Sequence, residues 1–247
     1  MIKIGFHAKY SKEELELFIL RFFIGLLSGF LIYYLSLTWI ECLKETIHKL
    51  TITFFLKKFF DLIELKLSFP CVTMAIISTY LAWRCGERYF ILWQAVTVFS
   101  FCMCLIMTAY IDMKTMLIPN ACLYVLILSG LPFLFQPLDH SLLQRLLGSV
   151  AAAGLMQTAN MVKRESFGFG DIKLMLICGF YLGYRHTIIA MLSAILSGSM
   201  FAVYLILSKK AVSHSHIAFA PFLCLGIITA IFFGDELMLT YFMLFYS

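Results

Sequence analysis

The chain has 247 residues, 62% of them hydrophobic and only 13% charged, where an ordinary soluble domain carries about 25% charged residues. One water-soluble core cannot bury that much apolar surface, so a soluble globular enzyme is excluded and a membrane protein is implied. The net charge of +5 is scattered between apolar runs without an interleaved aromatic pattern, which points to orientation in a bilayer and to no nucleic-acid partner.

Residues 1–16 are polar and include Glu13, Glu14 and Glu16. The run that follows, Leu17 to Ile40, exceeds the apolar core of about 7–15 residues in a signal peptide. It reads as a first span that is retained. Next, Leu56, Phe59, Phe60, Ile63 and Leu67 recur at helical spacing, with Lys57, Lys58, Asp61 and Glu64 opposite them. The stretch from Glu41 to Leu67 therefore reads as an amphipathic helix on the membrane surface. Apolar segments continue at about 68–84, 90–111, 121–136, 143–162, 174–184, 187–207 and 218–233. The expected fold is an all-α, polytopic membrane helix bundle of about eight spans. It divides into an N-terminal part over 1–67 and a membrane-embedded core over 68–247. Leu237 to Tyr246 either extends the last span or lies in the interface.

The eight cysteines include no C-x-x-C pair, so neither zinc nor thioredoxin-like chemistry has support. Basic residues concentrate in the loops at 41–67, 112–119, 163–173 and 208–217. That side should be cytoplasmic. Small residues at Ala151–Gly154, and at Ser193, Ala194, Ser197 and Gly198, suit close packing of membrane helices.

Two carboxylates stand out. Asp171 lies in the polar island 165–173, behind Gly168 and Gly170, at the mouth of an apolar segment. Asp112 closes the apolar run from Phe90 to Ile111. Two spans separate them, so parity puts both at one membrane face, the cytoplasmic one. Each also has a structural reading, Asp171 as a helix cap and Asp112 as a charge beside the membrane. Asn120, after Pro119, reads as a cap or turn residue. Together the two aspartates fit a different chemistry. Carboxylates a few ångströms apart share a proton and titrate as a unit. The charged member activates water while the protonated one donates to a carbonyl oxygen. That is aspartyl peptide hydrolysis, which needs no metal or cofactor.

Three motifs carry a resemblance. Gly168-Phe169-Gly170-Asp171-Ile172-Lys173-Leu174 resembles the G-x-G-D-x-K-L motif of the bacterial prepilin peptidases, or type IV leader peptidases. Asp112 with Ile118-Pro119-Asn120 is similar to that family's first aspartate motif. Phe219-Ala220-Pro221-Phe222 with Leu225-Gly226 resembles its later F-G-P-F…L-G segment, with Ala220 in place of a glycine. The resemblance implies an intramembrane aspartyl protease of the bacterial inner membrane. Its substrates would be prepilins or pseudopilins, whose short basic leader is cut after a glycine on the cytoplasmic side. It implies Asp112 and Asp171 as the catalytic pair, with Gly168 and Gly170 beside the scissile bond. Glu165 is a candidate to hold the basic leader. Many members also methylate the new N-terminus with S-adenosylmethionine; no residue is assigned to that here. The stretch 41–67 holds only Cys42 where many members carry two C-x-x-C pairs, so zinc is not carried over. Two rival functions remain at this stage, an ion- or proton-coupled transporter and a non-catalytic pilus or secretion scaffold.

Overall fold

The computed structural model describes residues 12–44, 69–89, 92–134, 141–162, 167–208 and 218–246. These residues form α1 (Lys12–Lys44), α2 (Phe69–Arg88), α3 (Leu92–Thr115), α4 (Asn120–Gly130) with a 3₁₀ turn at Leu131–Leu134, α5 (Leu142–Val162), α6 (Phe169–Leu207) and α7 (Ala220–Tyr246). The surface stretch expected at 41–67, with Asp61 and Glu64, falls mostly outside the described residues, as does Glu165. The tail from Leu237 continues α7 as helix to Tyr246.

The all-α class holds, but the span count does not. Among the described residues, four helices are long and apolar enough to cross a bilayer: Ile19–Ile40 of α1, α3, α6, and Ala220–Leu244 of α7. This corrects the expectation of about eight. An apolar run in a sequence records burial, and burial against protein looks the same as burial in lipid. With 11 residues, α4 rises about 17 Å, roughly half of a 30 Å hydrocarbon core. Charged and polar residues dilute α2 (Arg84, Glu87, Arg88) and α5 (Gln144, Arg145, Gln157, Asn160). The segments 174–184 and 187–207 are the two halves of α6, and the half before Gly183 is short for a crossing.

That long element is broken at Gly183, whose φ of 72° and ψ of 168° favour a residue without Cβ. Its two halves run in opposite directions. Before Gly183, Lys173 bonds Asn120 at the start of α4, and the Tyr181 hydroxyl donates to the Ile127 carbonyl near its end. After Gly183, His186 lies against Gly234 late in α7, Ala190 and Ala194 against Gly226, and Gly198 against Phe219 and Phe222 at its beginning. The chain thus leaves the Asp171 end of the bundle and returns to it.

Close crossings set these positions. A Cβ on Gly148 of α5 would come within 2.7 Å of the Gly179 carbonyl oxygen, and one on Gly179 within 2.8 Å of the Gly148 oxygen. Backbone therefore meets backbone there, as small residues permit in membrane bundles. Ser149 of α5 secures the crossing by donating to the Leu176 carbonyl at 2.8 Å. In the core, Phe101 of α3 is fully buried, edge-on to Phe133 at 5.4 Å and to Tyr181 at 5.8 Å. Arg145 of α5 is buried and donates to the Phe133 carbonyl at 3.1 Å. Outward, Leu20, Phe23, Leu27 and Leu31 of α1 are exposed, as a lipid-facing surface requires.

The end of the bundle away from Asp171 is tied by charge. Arg88 of α2 donates to Asp235 of α7 at 2.7 Å, and Asp235 also meets His186 of α6 at 3.2 Å. Asp235 therefore links α7 to α2 and α6 from an exposed position.

Candidate active site

Both carboxylates are held at helix ends by local backbone chemistry. In α3, Asp112 sits in the last turn, where its carbonyl accepts the Met116 amide at 2.8 Å. Met116 takes φ 54°, a left-handed conformation that costs a residue with Cβ about 1–3 kcal/mol. The Thr115 hydroxyl bonds back to the Ile111 carbonyl and accepts the Leu117 amide. The helix stops within four residues of Asp112. Pro119 is extended, at φ −64° and ψ 138°, and α4 starts at Asn120.

Asp171 is the third residue of α6. The cap is Gly168, extended at φ −64° and ψ 146°, so the expectation of Asp171 as a cap is corrected. Its amide bonds the Gly168 carbonyl at 3.1 Å. A carboxylate in a first turn faces the positive end of the helix dipole. The preceding segment is clamped by Asn160 of α5. The Asn160 amide nitrogen donates to the Phe167 carbonyl at 3.0 Å, and its oxygen accepts the Phe167 amide at 2.7 Å.

The two motifs meet. Lys173 Nζ donates to Asn120 Oδ1 at 3.1 Å, so Asn120 joins the motifs and does not cap α4. A Cβ on Gly170 would fall 3.0 Å from the Ile118 Cβ, which means the start of α6 rests on the loop after α3. Asp112 and Asp171 are 5% and 8% exposed and within electrostatic reach of each other. The third wall is α7. The Ala220 backbone amide at its start lies against the Asp112 carboxylate, and the buried Cys224 one turn on is in reach of both aspartates. Two helix N-termini, of α6 and α7, therefore converge on one pair of acids. That arrangement suits a single negative charge.

One oxygen of each acid, Asp112 Oδ2 and Asp171 Oδ1, is buried without a hydrogen-bond partner among the described residues. Buried polar atoms are normally paired, and an exception requires an explanation. The cradle is open at Gly168, an exposed residue whose Cβ would stand 3.2 Å from Asp171 Oδ2.

Three parts of this site escaped the sequence: Asn160, the Ala220 amide and Cys224. The Phe219-Ala220-Pro221-Phe222 motif, singled out through the resemblance, marked the right segment. Asn160 gave no signal beyond being polar near the end of an apolar run.

Against known proteins, the Type IV leader peptidase family matches residues 99–203, a region that contains both aspartate motifs. Over these residues the chain is similar to that family. It is similar to the prepilin leader peptidase/N-methyltransferase of Bacillus subtilis, at 28% identity over 71% of each chain. It is also similar to the proteins of that name from Pseudomonas aeruginosa, at 27% identity, and Stutzerimonas stutzeri, at 26%; each match covers 70% of this chain. The chain spans 61% of the length of these last two relatives. The Phe219 motif lies outside the matched family region. No solved structure matches the chain.

Proposed function

We propose that this chain is an intramembrane aspartyl endopeptidase of the bacterial inner membrane that removes the basic leader from type IV prepilins or pseudopilins. Cleavage takes place at the cytoplasmic face, with Asp112 and Asp171 as the catalytic pair. Residues 68–247 are the peptidase core; 1–67 add a first span and a surface segment.

One observation carries the reading. Two buried carboxylates from separate helices lie within electrostatic reach, each with an unpartnered oxygen. Two carboxylates in electrostatic contact favour a state that holds one proton between them. The charged member takes a proton from water as the water oxygen attacks the scissile carbonyl carbon. The protonated member gives its proton to the carbonyl oxygen, forming a neutral tetrahedral diol. Collapse of the diol breaks the C–N bond: the member that took the water's proton gives it to the amine nitrogen, the other takes a proton from a diol hydroxyl, and the pair again holds one. All four transfers involve the pair, so the residues present suffice for hydrolysis.

The surroundings keep this geometry. The Lys173–Asn120 bond and the Gly170–Ile118 contact hold the two acid-bearing segments together, which limits reorganisation during reaction. Gly168 leaves the Asp171 carboxylate approachable by an extended peptide, and Glu165 stands two residues before Phe167 to meet a basic leader. A coupled transporter would be expected to carry acids near mid-span; these lie in a last and a first turn. Methyl transfer, named for the relatives, is left outside the proposal.

The test is direct. Purified full-length protein in proteoliposomes is incubated with a prepilin, and the product's N-terminus is sequenced. One cut at the leader junction is expected. An intact precursor under conditions where the Pseudomonas aeruginosa relative cleaves would refute the proposal.

A further inference from the structure

The segment that joins Asp112 to Asn120 is gripped from outside the acid-bearing helices. On α1, Tyr33 and Ile40 are buried. They stand seven residues apart and so share one helix face. With Cys71 of α2, Tyr110 and Ile111 of α3, and Cys122 of α4, they form one apolar cluster, separate from the main core. Tyr110 and Ile111 are the two residues before Asp112, and Cys122 comes two residues after Asn120. The cluster therefore holds both ends of the segment that carries the first acid and meets the second.

Two contacts from α1 fall on these ends. At the Asp112 end, the Tyr33 ring stands edge-on to the Tyr110 ring, with centroids 5.8 Å apart. At the Asn120 end, the Trp39 indole N–H donates to Cys122 Sγ at 3.2 Å. The Cys122 amide donates in turn to the Pro119 carbonyl at 3.0 Å, so the sulfur is fixed relative to the turn that opens α4. Between the two ends lie Ile118, which packs on Gly170, and Asn120, which accepts Lys173. Through these contacts α1 supports the surface on which the start of α6 rests.

Trp39 is the next-to-last residue of the span Ile19–Ile40. A tryptophan at that depth ordinarily turns its N–H to headgroups and water. This one turns it inward, to a thiol buried beside the acid-bearing segment. It also lies outside residues 99–203, where the family resemblance is found.

We propose that Trp39 is a positioning residue for the aspartate pair. It pins the first turn of α4 and thereby holds Ile118 and Asn120 against the start of α6, where Asp171 sits. The inference rests on the peptidase reading above. Helix α1 is then part of the catalytic framework as well as a span.

The experiment is single-turnover cleavage of a prepilin by full-length enzyme in proteoliposomes, with enzyme saturating. The rate constant at saturation does not depend on how much of the enzyme is folded. Trp39→Phe keeps an aromatic ring and removes the N–H; Cys122→Ala removes the acceptor. Each should lower the rate constant about fivefold, the effect of one hydrogen bond, with the half-saturating enzyme concentration unchanged. Cys122→Ser keeps an acceptor and should stay within about twofold of wild type. The double variant Trp39→Phe with Cys122→Ala should be no slower than either single one, because both changes break the same bond. A tryptophan that only anchors the helix in the interface leaves every rate constant at the wild-type value. Two independent packing roles make the losses multiply in the double variant. Either result overturns the proposal. A wild-type enzyme that leaves the prepilin intact refutes the peptidase reading, and the positioning role falls with it.

Discussion

Asn160 is the residue whose removal should separate positioning from chemistry. It touches neither acid. Its side chain instead brackets the backbone of Phe167 with two hydrogen bonds, at 3.0 and 2.7 Å, as a neighbouring strand would. Phe167 leads directly into Gly168 and the first turn of α6, where Asp171 sits. Asn160→Ala removes both bonds and leaves an amide and a carbonyl without partners. A typical hydrogen bond contributes about 1 kcal/mol net, so the pair holds the segment by about 2 kcal/mol. If that ordering must be restored in the transition state, kcat falls about thirtyfold, at 1.36 kcal/mol per factor of ten. KM should change little, because the acids themselves are untouched. Asn160→Asp keeps an acceptor for the Phe167 amide but loses the donor to its carbonyl, and should fall between wild type and Ala. The assay is single-turnover cleavage in proteoliposomes, with thermal unfolding of the same preparations as a control. Wild-type kcat in Asn160→Ala would refute the claim that the clamp positions Asp171.

Gly170→Ala places a methyl 3.0 Å from the Ile118 Cβ and should lower stability by about 1–3 kcal/mol with a parallel loss of cleavage. Adding Ile118→Ala removes the neighbours at 3.3 and 3.4 Å and should restore part of both; no rescue would show that Gly170 serves the substrate and not this packing. Met116→Gly relieves the φ of 54° at the cost of a mostly exposed side chain. It should stabilise the protein by about 1 kcal/mol in reversible denaturant unfolding, and a less stable variant would contradict the strain.

How far the sequence disclosed all this differs from part to part. The two acids were legible because a charge beside a long apolar run is costly and conspicuous. Their shared end of the bundle was also legible, since two apolar segments separate them. Three-dimensional packing was not. Gly148 and Gly179 bring backbone against backbone between α5 and α6 without having been singled out, whereas among Ala151 to Gly154 Ala152 is fully buried and Gly154 has nothing within 4 Å of a Cβ. Gly170 was expected beside the scissile bond, and its packing against Ile118 was not legible. The span count failed for a related reason: α4 and α5 are apolar enough to be buried without being both long and apolar enough to cross. Asn160 was invisible because a side chain that pairs with backbone seven residues on leaves no motif.

The central claim is that Asp112 and Asp171 act as one catalytic unit, and replacing each by asparagine tests it most directly. Asparagine keeps the size of the side chain but can neither share the proton nor activate water. The measurement is an immunoblot of precursor against mature pilin in cells that carry Asp112→Asn, Asp171→Asn or both, with enzyme level measured alongside. The account predicts that each single variant accumulates precursor at normal enzyme abundance, and that the double variant is no worse than either, as expected for residues acting as a unit. Normal processing in either single variant at normal abundance would contradict it.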